Sequence, residues 1–167
     1  DISILKLSQN VFEVLATGGD TALGGDDFDL IIADWILQEL GFDDTLDPHQ
    51  LRELAEVACD AKEALTQSDS TSISLFGVTG QLTRKAMGGL IRPLIQKTLR
   101  TCKRTLRDAG IKAGQVDDVV LVGGSTKMPI VQVQVSEFFG QQAHSQIDPD
   151  HVVALGAALQ ADILVGN

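Results

Sequence analysis

The run Val119-Val120-Leu121-Val122 ends abruptly in Gly123-Gly124 and continues as Ser125-Thr126-Lys127-Met128-Pro129. Four apolar residues of high β propensity, too few for a helix, predict a strand buried on both faces of a central sheet. In α/β sheets, ligands gather beyond the carboxyl ends of such strands. Two glycines without Cβ atoms let a ligand approach the backbone and let the turn take positive φ. Ser125 and Thr126 add hydroxyls, Lys127 adds a cation, and Pro129 suits the first turn of a following helix. This is the composition of a phosphate or nucleoside cradle between strand and helix. A tight turn with no ligand is spelled the same way, and spacing alone leaves both readings open.

A second group lies upstream. Leu51, Leu54, Ala55, Ala58, Ala61 and Leu65 form a helical stripe whose small middle predicts close packing against another element. Lys62 and Thr66 sit one turn apart near the end of that stripe, where a lysine also suits the negative end of the helix dipole. The loop Thr17-Gly18-Gly19-Asp20-Thr21-Ala22-Leu23-Gly24-Gly25-Asp26-Asp27 is rich in glycine and acid. It reads either as a contributor to phosphate or cation binding or as a plain loop with a helix cap. Cys59 and Cys102 fall inside helix-like segments and lack metal-ligand spacing, so they read as reduced thiols of a cytoplasmic protein. Three scattered histidines with no Cys/His cluster argue against a protein-bound zinc, and no metal site is assigned.

The elements that must position these groups follow from periodicity. Residues 2–7 and 11–16 alternate around Ser8-Gln9-Asn10 as a hairpin. Phe28, Ile31, Ile32, Trp35, Ile36 and Leu40 recur at helical spacing, with Trp35 placed in the core and Gly41 as the stop. Residues 43–48 link to the stripe of small residues, and 72–76 open a pair of short strands. A long helix then runs from Thr83 to about Asp108. Gly88-Gly89 inside it, each worth about 1 kcal/mol against alanine, and Pro93 beyond predict a break or hinge. Residues 116–122 form the pivotal strand and 131–139 a short helix ended by Gly140. Asp148 and Pro149 cap a last helix, whose body from Val152 to Leu159 is apolar nearly all round and therefore expected to be buried.

The totals exclude several classes. A net charge of −10 without a Lys/Arg stripe argues against nucleic acid as a partner. No apolar run reaches membrane-spanning length, and no signal peptide is expected. With 44% hydrophobic and 22% charged residues the chain reads as an ordinary globular protein.

Several blocks together resemble one family, the DnaK-type, seventy-kilodalton heat-shock chaperones. They are Asp1-Ile2-Ser3-Ile4, Phe12-Glu13-Val14-Leu15-Ala16-Thr17, Gly19-Asp20-Thr21, Leu23-Gly24-Gly25-Asp26-Asp27-Phe28-Asp29, Val122-Gly123-Gly124-Ser125-Thr126, Glu137-Phe138-Phe139-Gly140 and Asp148-Pro149-Asp150. The likeness runs from the first residue to the last, in the family's order. The ending Gln160-Ala161-Asp162-Ile163-Leu164-Val165-Gly166-Asn167, with Ala16-Thr17-Gly18-Gly19-Asp20, looks most like the branch that serves iron–sulfur cluster assembly.

The resemblance implies an α/β fold, the second lobe only of an actin-like (ribonuclease H-like) ATPase, with a helical/β subdomain inserted. Residues 1–23 and 92–167 would form the sheet-based subdomain and 24–91 the insertion. The first lobe, with the first phosphate loop, the catalytic lysine and the carboxylate that orients water, would lie outside the chain, as would the second phosphate loop and the substrate-binding domain. No catalytic residue is therefore assigned, and ATP or ADP would be the cofactor, with Mg held only when the other lobe is present.

By resemblance, Gly123 and Gly124 approach the ribose and nearest phosphate, and Ser125 lies beside the base. Lys127 replaces an arginine that lies flat on adenine, a loss of stacking because lysine has no planar face. Asp150 resembles an acidic residue near the adenine pocket, and a favourable first-turn charge explains it equally well. Lys62 corresponds to the lysine that reaches the ribose, and Thr66 to a serine nearby. Cys59 stands where many relatives carry a glutamate bonded to the nucleoside, and Glu63 where some carry a basic or apolar residue; both departures imply looser nucleotide binding. Asp1 resembles an aspartate close to the cation sites.

The implied function is ATP binding and slow hydrolysis coupled to holding an unfolded client or an iron–sulfur scaffold protein, with a J-domain co-chaperone as partner. A general protein-folding chaperone of the same type is the near alternative. Two other classes stay open. An autonomous dinucleotide enzyme lacks the G-x-G-x-x-G fingerprint with its downstream acid. A pure interaction module would dock an exchange factor on the helical insertion and leave the nucleotide wall empty.

Overall fold

The computed structural model describes residues 1–8, 11–42, 45–144 and 151–165. Its contacts divide the chain into two units, Asp1–Thr105 and Leu106–Asn167.

The first unit opens with strands β1 (Ile2–Ser8) and β2 (Val11–Gly18), paired antiparallel with Ile2 opposite Gly18 and a register shift between Ile4 and Leu5. Helix α1 (Gly25–Leu40) starts where the Asp27 carboxylate accepts the Gly24 N–H at 2.6 Å. It ends at Gly41, whose φ of 75° is the left-handed cap that favours glycine. Phe28, Ile32, Ala33, Ile36 and Leu37 form its buried stripe. Trp35, on the edge of that stripe, is half-buried rather than core.

Helix α2 (Pro48–Gln67) has a reciprocal cap. The Asp47 carboxylate accepts from the N–H groups of His49 and Gln50, and the Gln50 side chain accepts from the Asp47 N–H. Its buried residues, Leu54, Ala58, Ala61 and Leu65, repeat on one face. The two alanines let α2 pack closely in the unit's core, where it contacts α1.

Strands β3 (Ser70–Leu75) and β4 (Val78–Thr83) pair antiparallel across Phe76-Gly77. Both turn residues have positive φ, 50° and 80°, the handedness that a two-residue hairpin needs. Ile73, Leu75 and Leu82 face inward, and the Phe76 ring meets Phe42 edge-on at 5.3 Å. A Cβ on Gly80 would lie 2.9 Å from Leu40 Cδ2, so a glycine lets this hairpin close on the end of α1. Arg84 ties the hairpin back to α2: its Nε donates to Leu65 O at 2.8 Å and its Nη1 to Asp69 Oδ1 at 2.7 Å.

Helix α3 (Arg84–Asp108) runs unbroken through Gly88, Gly89 and Pro93, so the expected break is absent. The buried side chains Met87, Ile91, Leu94 and Ile95 bracket the glycines and hold that stretch by packing, which outweighs their poor helix propensity. Pro93 is exposed; it withholds its own N–H and crowds the carbonyl one turn earlier, costs that the same packing outweighs. Near the end of α3, a Cβ on Gly18 would strike Thr105 Oγ1 and come to 3.4 Å of Thr101 Cγ2. The bare backbone at the end of β2 is thus what allows the hairpin to lie on the helix.

In the second unit a 3-10 turn (Ala113–Gln115) leads to the run 119–122. There Val120 makes a parallel bridge to His144, with His144 N donating to Val119 O at 2.7 Å and Leu121 N to His144 O at 3.0 Å. The sequence predicts burial on both faces, and the structure corrects this. Val119 and Leu121 are buried, whereas Val120 is 66% and Val122 45% exposed. Only one face of the segment is packed among the described residues. Beyond Gly123 come a 3-10 turn (Gly124–Lys127), helix α4 (Pro129–Phe139) ended by Gly140 at φ 68°, and helix α5 (Val152–Leu164).

Helix α5 is a second correction: expected to be buried, it leaves Val153 69%, Leu155 51% and Leu159 67% exposed. A helix apolar all round needs neighbours on every side, and the described residues supply too few. The expected caps Asp148 and Pro149 lie outside the described residues.

Ile36, fully buried on α1, and Leu30, 65% exposed on the same helix, give a test of this packing. Ile36→Ala is expected to lower the unfolding free energy by about 2–5 kcal/mol. Leu30→Ala should stay within about 0.5 kcal/mol of the parent. Urea unfolding followed by far-UV circular dichroism measures both, and equal effects would contradict the assigned faces.

Candidate functional site

The glycine turn is built by its own backbone. Gly123 has φ 91° and ψ 153°, a conformation that L side chains rarely adopt, and a Cβ placed there would meet nothing within 4 Å. The turn therefore requires glycine for its backbone, and it leaves open space beside the peptide. Thr126 closes the loop: its N–H and its Oγ1 both donate to Gly123 O, at 3.0 and 2.6 Å. Gln132 Nε2 donates to Thr126 O at 3.1 Å and pins the turn to α4. Thr126 is thus a structural hydroxyl. Gly124 is exposed, and Ser125 and Lys127 are half-buried.

The α2 group forms a second assembly. Cys59, Lys62, Glu63 and Thr66 fall at helical spacing on one face. Thr66 Oγ1 donates back to Lys62 O at 3.3 Å, and Cys59 Sγ donates to Glu63 Oε1 at 3.9 Å. Lys62 Nζ reaches across to the start of α1, donating to Asp29 Oδ2 at 2.7 Å and to Gly25 O at 3.3 Å. Both members of that ion pair are well buried, with 14% and 16% of their side chains exposed.

Asp29 is the residue that sequence reasoning missed. It stands 33 positions from Lys62, and only its place in an acidic Gly-Gly-Asp-Asp-Phe-Asp run marked it. Burial pushes the Cys59 thiol up from its ordinary value; the negative charge of Asp29 adds to this and Lys62 opposes it.

The structure thus brings Gly123, Gly124, Ser125 and Lys127 into one turn and Cys59, Lys62, Glu63 and Thr66 onto one helix face. Asp150 lies outside the described residues. Chemically, the turn offers an approachable backbone, and the helix face offers an ammonium, a hydroxyl and a protonated thiol. The two groups lie in different units, the turn in the second and the helix face in the first.

Two concavities lie in the first unit. A groove of about 740 Å³ between α1 and α2 is walled by Asp26, Asp29, Asp34, Leu30, Leu51 and neighbours. A shallower recess of about 430 Å³ lies against Asp1, Thr17, Gly19 and Thr21. No described group of three or more His, Cys, Asp or Glu side chains is arranged to hold a metal, and no described helix is long and apolar enough to cross a membrane.

The direction of the Cys59 shift makes a prediction. Its fold favours the protonated thiol, so that contribution to stability is fully present below the ordinary thiol pKa, about 8.5, and is lost as pH rises through the folded-state value. Alkylation of Cys59 by iodoacetamide at pH 8, followed by mass spectrometry, should be slower than that of free cysteine and should still accelerate at higher pH. Cys102, also raised by burial and itself buried, should react more slowly still. A Cys59 that reacts at pH 8 as fast as free cysteine would contradict the assigned environment.

Comparison with known proteins agrees with the resemblance of the sequence blocks. The family described as "Hsp70 protein" matches residues 1–167. The chain is 54% identical over 167 residues to the "Chaperone protein HscA" of Escherichia coli O17:K52:H18 (strain UMN026 / ExPEC) and equally to that of Escherichia coli (strain K12 / DH10B). In each case all of this chain is covered and 27% of the relative's length is spanned. The α/β fold, the glycine turn and full-length similarity converge on one conclusion: the chain belongs to the Hsp70 family and corresponds to part of an HscA-like member of it.

Proposed function

We propose that this chain is the adenosine-facing lobe of the ATP-binding domain of an HscA-like chaperone. In the whole protein, ATP binding and slow hydrolysis are coupled to holding an unfolded client or an iron–sulfur scaffold protein, in the cytoplasm and with a J-domain co-chaperone. The observation that supports this best is Gly123, a backbone that requires glycine and has empty space beside it, at a position that by resemblance would approach the nucleotide.

Gly123, Gly124 and Ser125 would approach the ribose, nearest phosphate and base. Lys127 would contact adenine as a point charge, without the stacking an arginine provides. Lys62 would donate to a ribose oxygen, and Thr66, whose own proton goes to Lys62 O, would accept from a ribose hydroxyl, with Cys59 and Glu63 beside them and Asp150 near the base. Bound Mg-nucleotide supplies the transferable phosphoryl group; the charged groups that position metal and water for that transfer belong to sequence outside this chain. The subdomain division proposed is 1–23 with 92–167 and an insertion at 24–91.

A second reading, docking of a partner protein on the helical insertion, is favoured by the groove between α1 and α2. Its wall carries Leu30 and Leu51, 65% and 51% exposed, between Asp26, Asp29 and Asp34.

Titration calorimetry separates the two. In the full-length protein Gly123→Ala is expected to weaken ADP binding at least about tenfold, equivalent to about 1.4 kcal/mol. An unchanged affinity removes the nucleotide reading and leaves the docking one. The 167-residue chain by itself is expected to bind ADP weakly and to show no steady ATP turnover. Tight ADP binding or continuous turnover by that chain would contradict the assignment of catalysis to sequence elsewhere.

A further inference from the structure

Lys62 is held in place before any nucleotide arrives. An ammonium has three protons to donate, and one goes to Asp29 Oδ2 and one to Gly25 O. The head is thereby drawn toward the start of α1. Asp29 approaches from α1 with its side chain 16% exposed, and its second oxygen, Oδ1, is buried with no hydrogen-bond partner. An orphaned carboxylate oxygen in such a place costs free energy that a purely structural contact need not incur. The aspartate therefore gives up part of its own hydrogen bonding in the geometry that fixes the lysine.

We propose that Asp29 is a positioning residue for nucleotide binding, clamping Lys62 so that its one remaining N–H is presented to a nucleoside hydroxyl. This rests on the nucleotide reading of Lys62 given above and adds to it a residue from the other helix. Without the carboxylate, the lysine becomes a mobile, hydrated cation and must be ordered at the moment of binding. With it, that ordering is already built into the fold.

Two measurements on the full-length protein test this. The first needs no nucleotide: acetylation of lysines by an N-hydroxysuccinimide ester, followed by mass spectrometry, with exposed Lys85 as internal reference. Asp29→Asn, isosteric but neutral, should raise Lys62 labelling about fivefold or more relative to Lys85, while Asp29→Glu keeps it slow. Unchanged labelling in Asp29→Asn overturns the clamp.

The second is a double-mutant cycle on ADP affinity with Lys62→Met. Asp29→Asn should weaken ADP binding several-fold in the parent and add nothing in the Lys62→Met background. An equal loss in both backgrounds makes Asp29 merely structural and overturns the proposal. A loss in Lys62→Met with none in Asp29→Asn also overturns it while sparing the nucleotide reading. Lys62→Met binding ADP as the parent does overturns that reading of Lys62 itself. Should Asp29→Asn fail to fold, the cycle is run with Asp29→Glu. Its longer arm displaces the ammonium, so it should lose affinity only when Lys62 is present, and an equal loss without Lys62 overturns the clamp.

Discussion

The contact between α1 and α2 is the constraint on which the first unit depends. Two helices approach closely only where side chains are small, and α2 places Ala58 and Ala61 in its buried face. That approach forces the charged heads of Lys62 and Asp29 out of water together. A buried pair of this kind is weak evidence for stability, since desolvation consumes much of the Coulombic gain; removing one partner, in contrast, strands the other. What the pair supplies is position: it fixes where α2 presents its polar face relative to the N-terminus of α1. The reciprocal cap at Asp47, the Gly41 terminus and the Arg84 tie then fix the ends of the elements around it.

The second unit obeys the opposite constraint. Val120, Val122, Val153, Leu155 and Leu159 are exposed, far more apolar surface than isolated exposed residues would produce. The chain spans 27% of the length of the relatives it matches. The second unit accordingly has elements whose hydrophobic faces the described residues leave uncovered. The same holds for the β1–β2 hairpin, where Leu5, Leu7, Val11, Phe12 and Val14 are all exposed.

What the sequence made legible divides along the same line. Features set by local chemistry are readable: the β1–β2 and β3–β4 hairpins, the Gly41 and Gly140 stops, Pro129 at a helix start, and the stripe on α2, although Pro48, read as the end of a linker, opens that helix. Features set by tertiary context are not. Gly88 and Gly89 look like a break by propensity, and only the buried Met87 and Ile91 around them explain a continuous helix. The burial predicted for 119–122 and for α5 follows correctly from their hydrophobicity, but hydrophobicity does not specify which chain segment does the covering. In the site, Lys62 was singled out because motif and helical phase both mark it. Its partner Asp29 was not, because an ion pair spanning 33 residues leaves no periodicity in the sequence.

The electrostatics of the α2 face bear on which part of a nucleotide it suits. Lys62 is balanced by Asp29 at 2.7 Å, so from a distance the pair is nearly neutral. Cys59 is held as a neutral thiol, and Glu63 contributes a negative charge at the exposed edge. Such a face has no net positive potential with which to attract a triphosphate, and the chain as a whole carries −10. It does have short-range groups, an N–H of Lys62 to donate and the nearby Thr66 hydroxyl oxygen to accept, its own proton going to Lys62 O, and these act only at hydrogen-bond distance. Neutral hydroxyls of a ribose match that arrangement better than phosphate oxygens do. Charge alone therefore suits the α2 face to neutral hydroxyl groups rather than to anions.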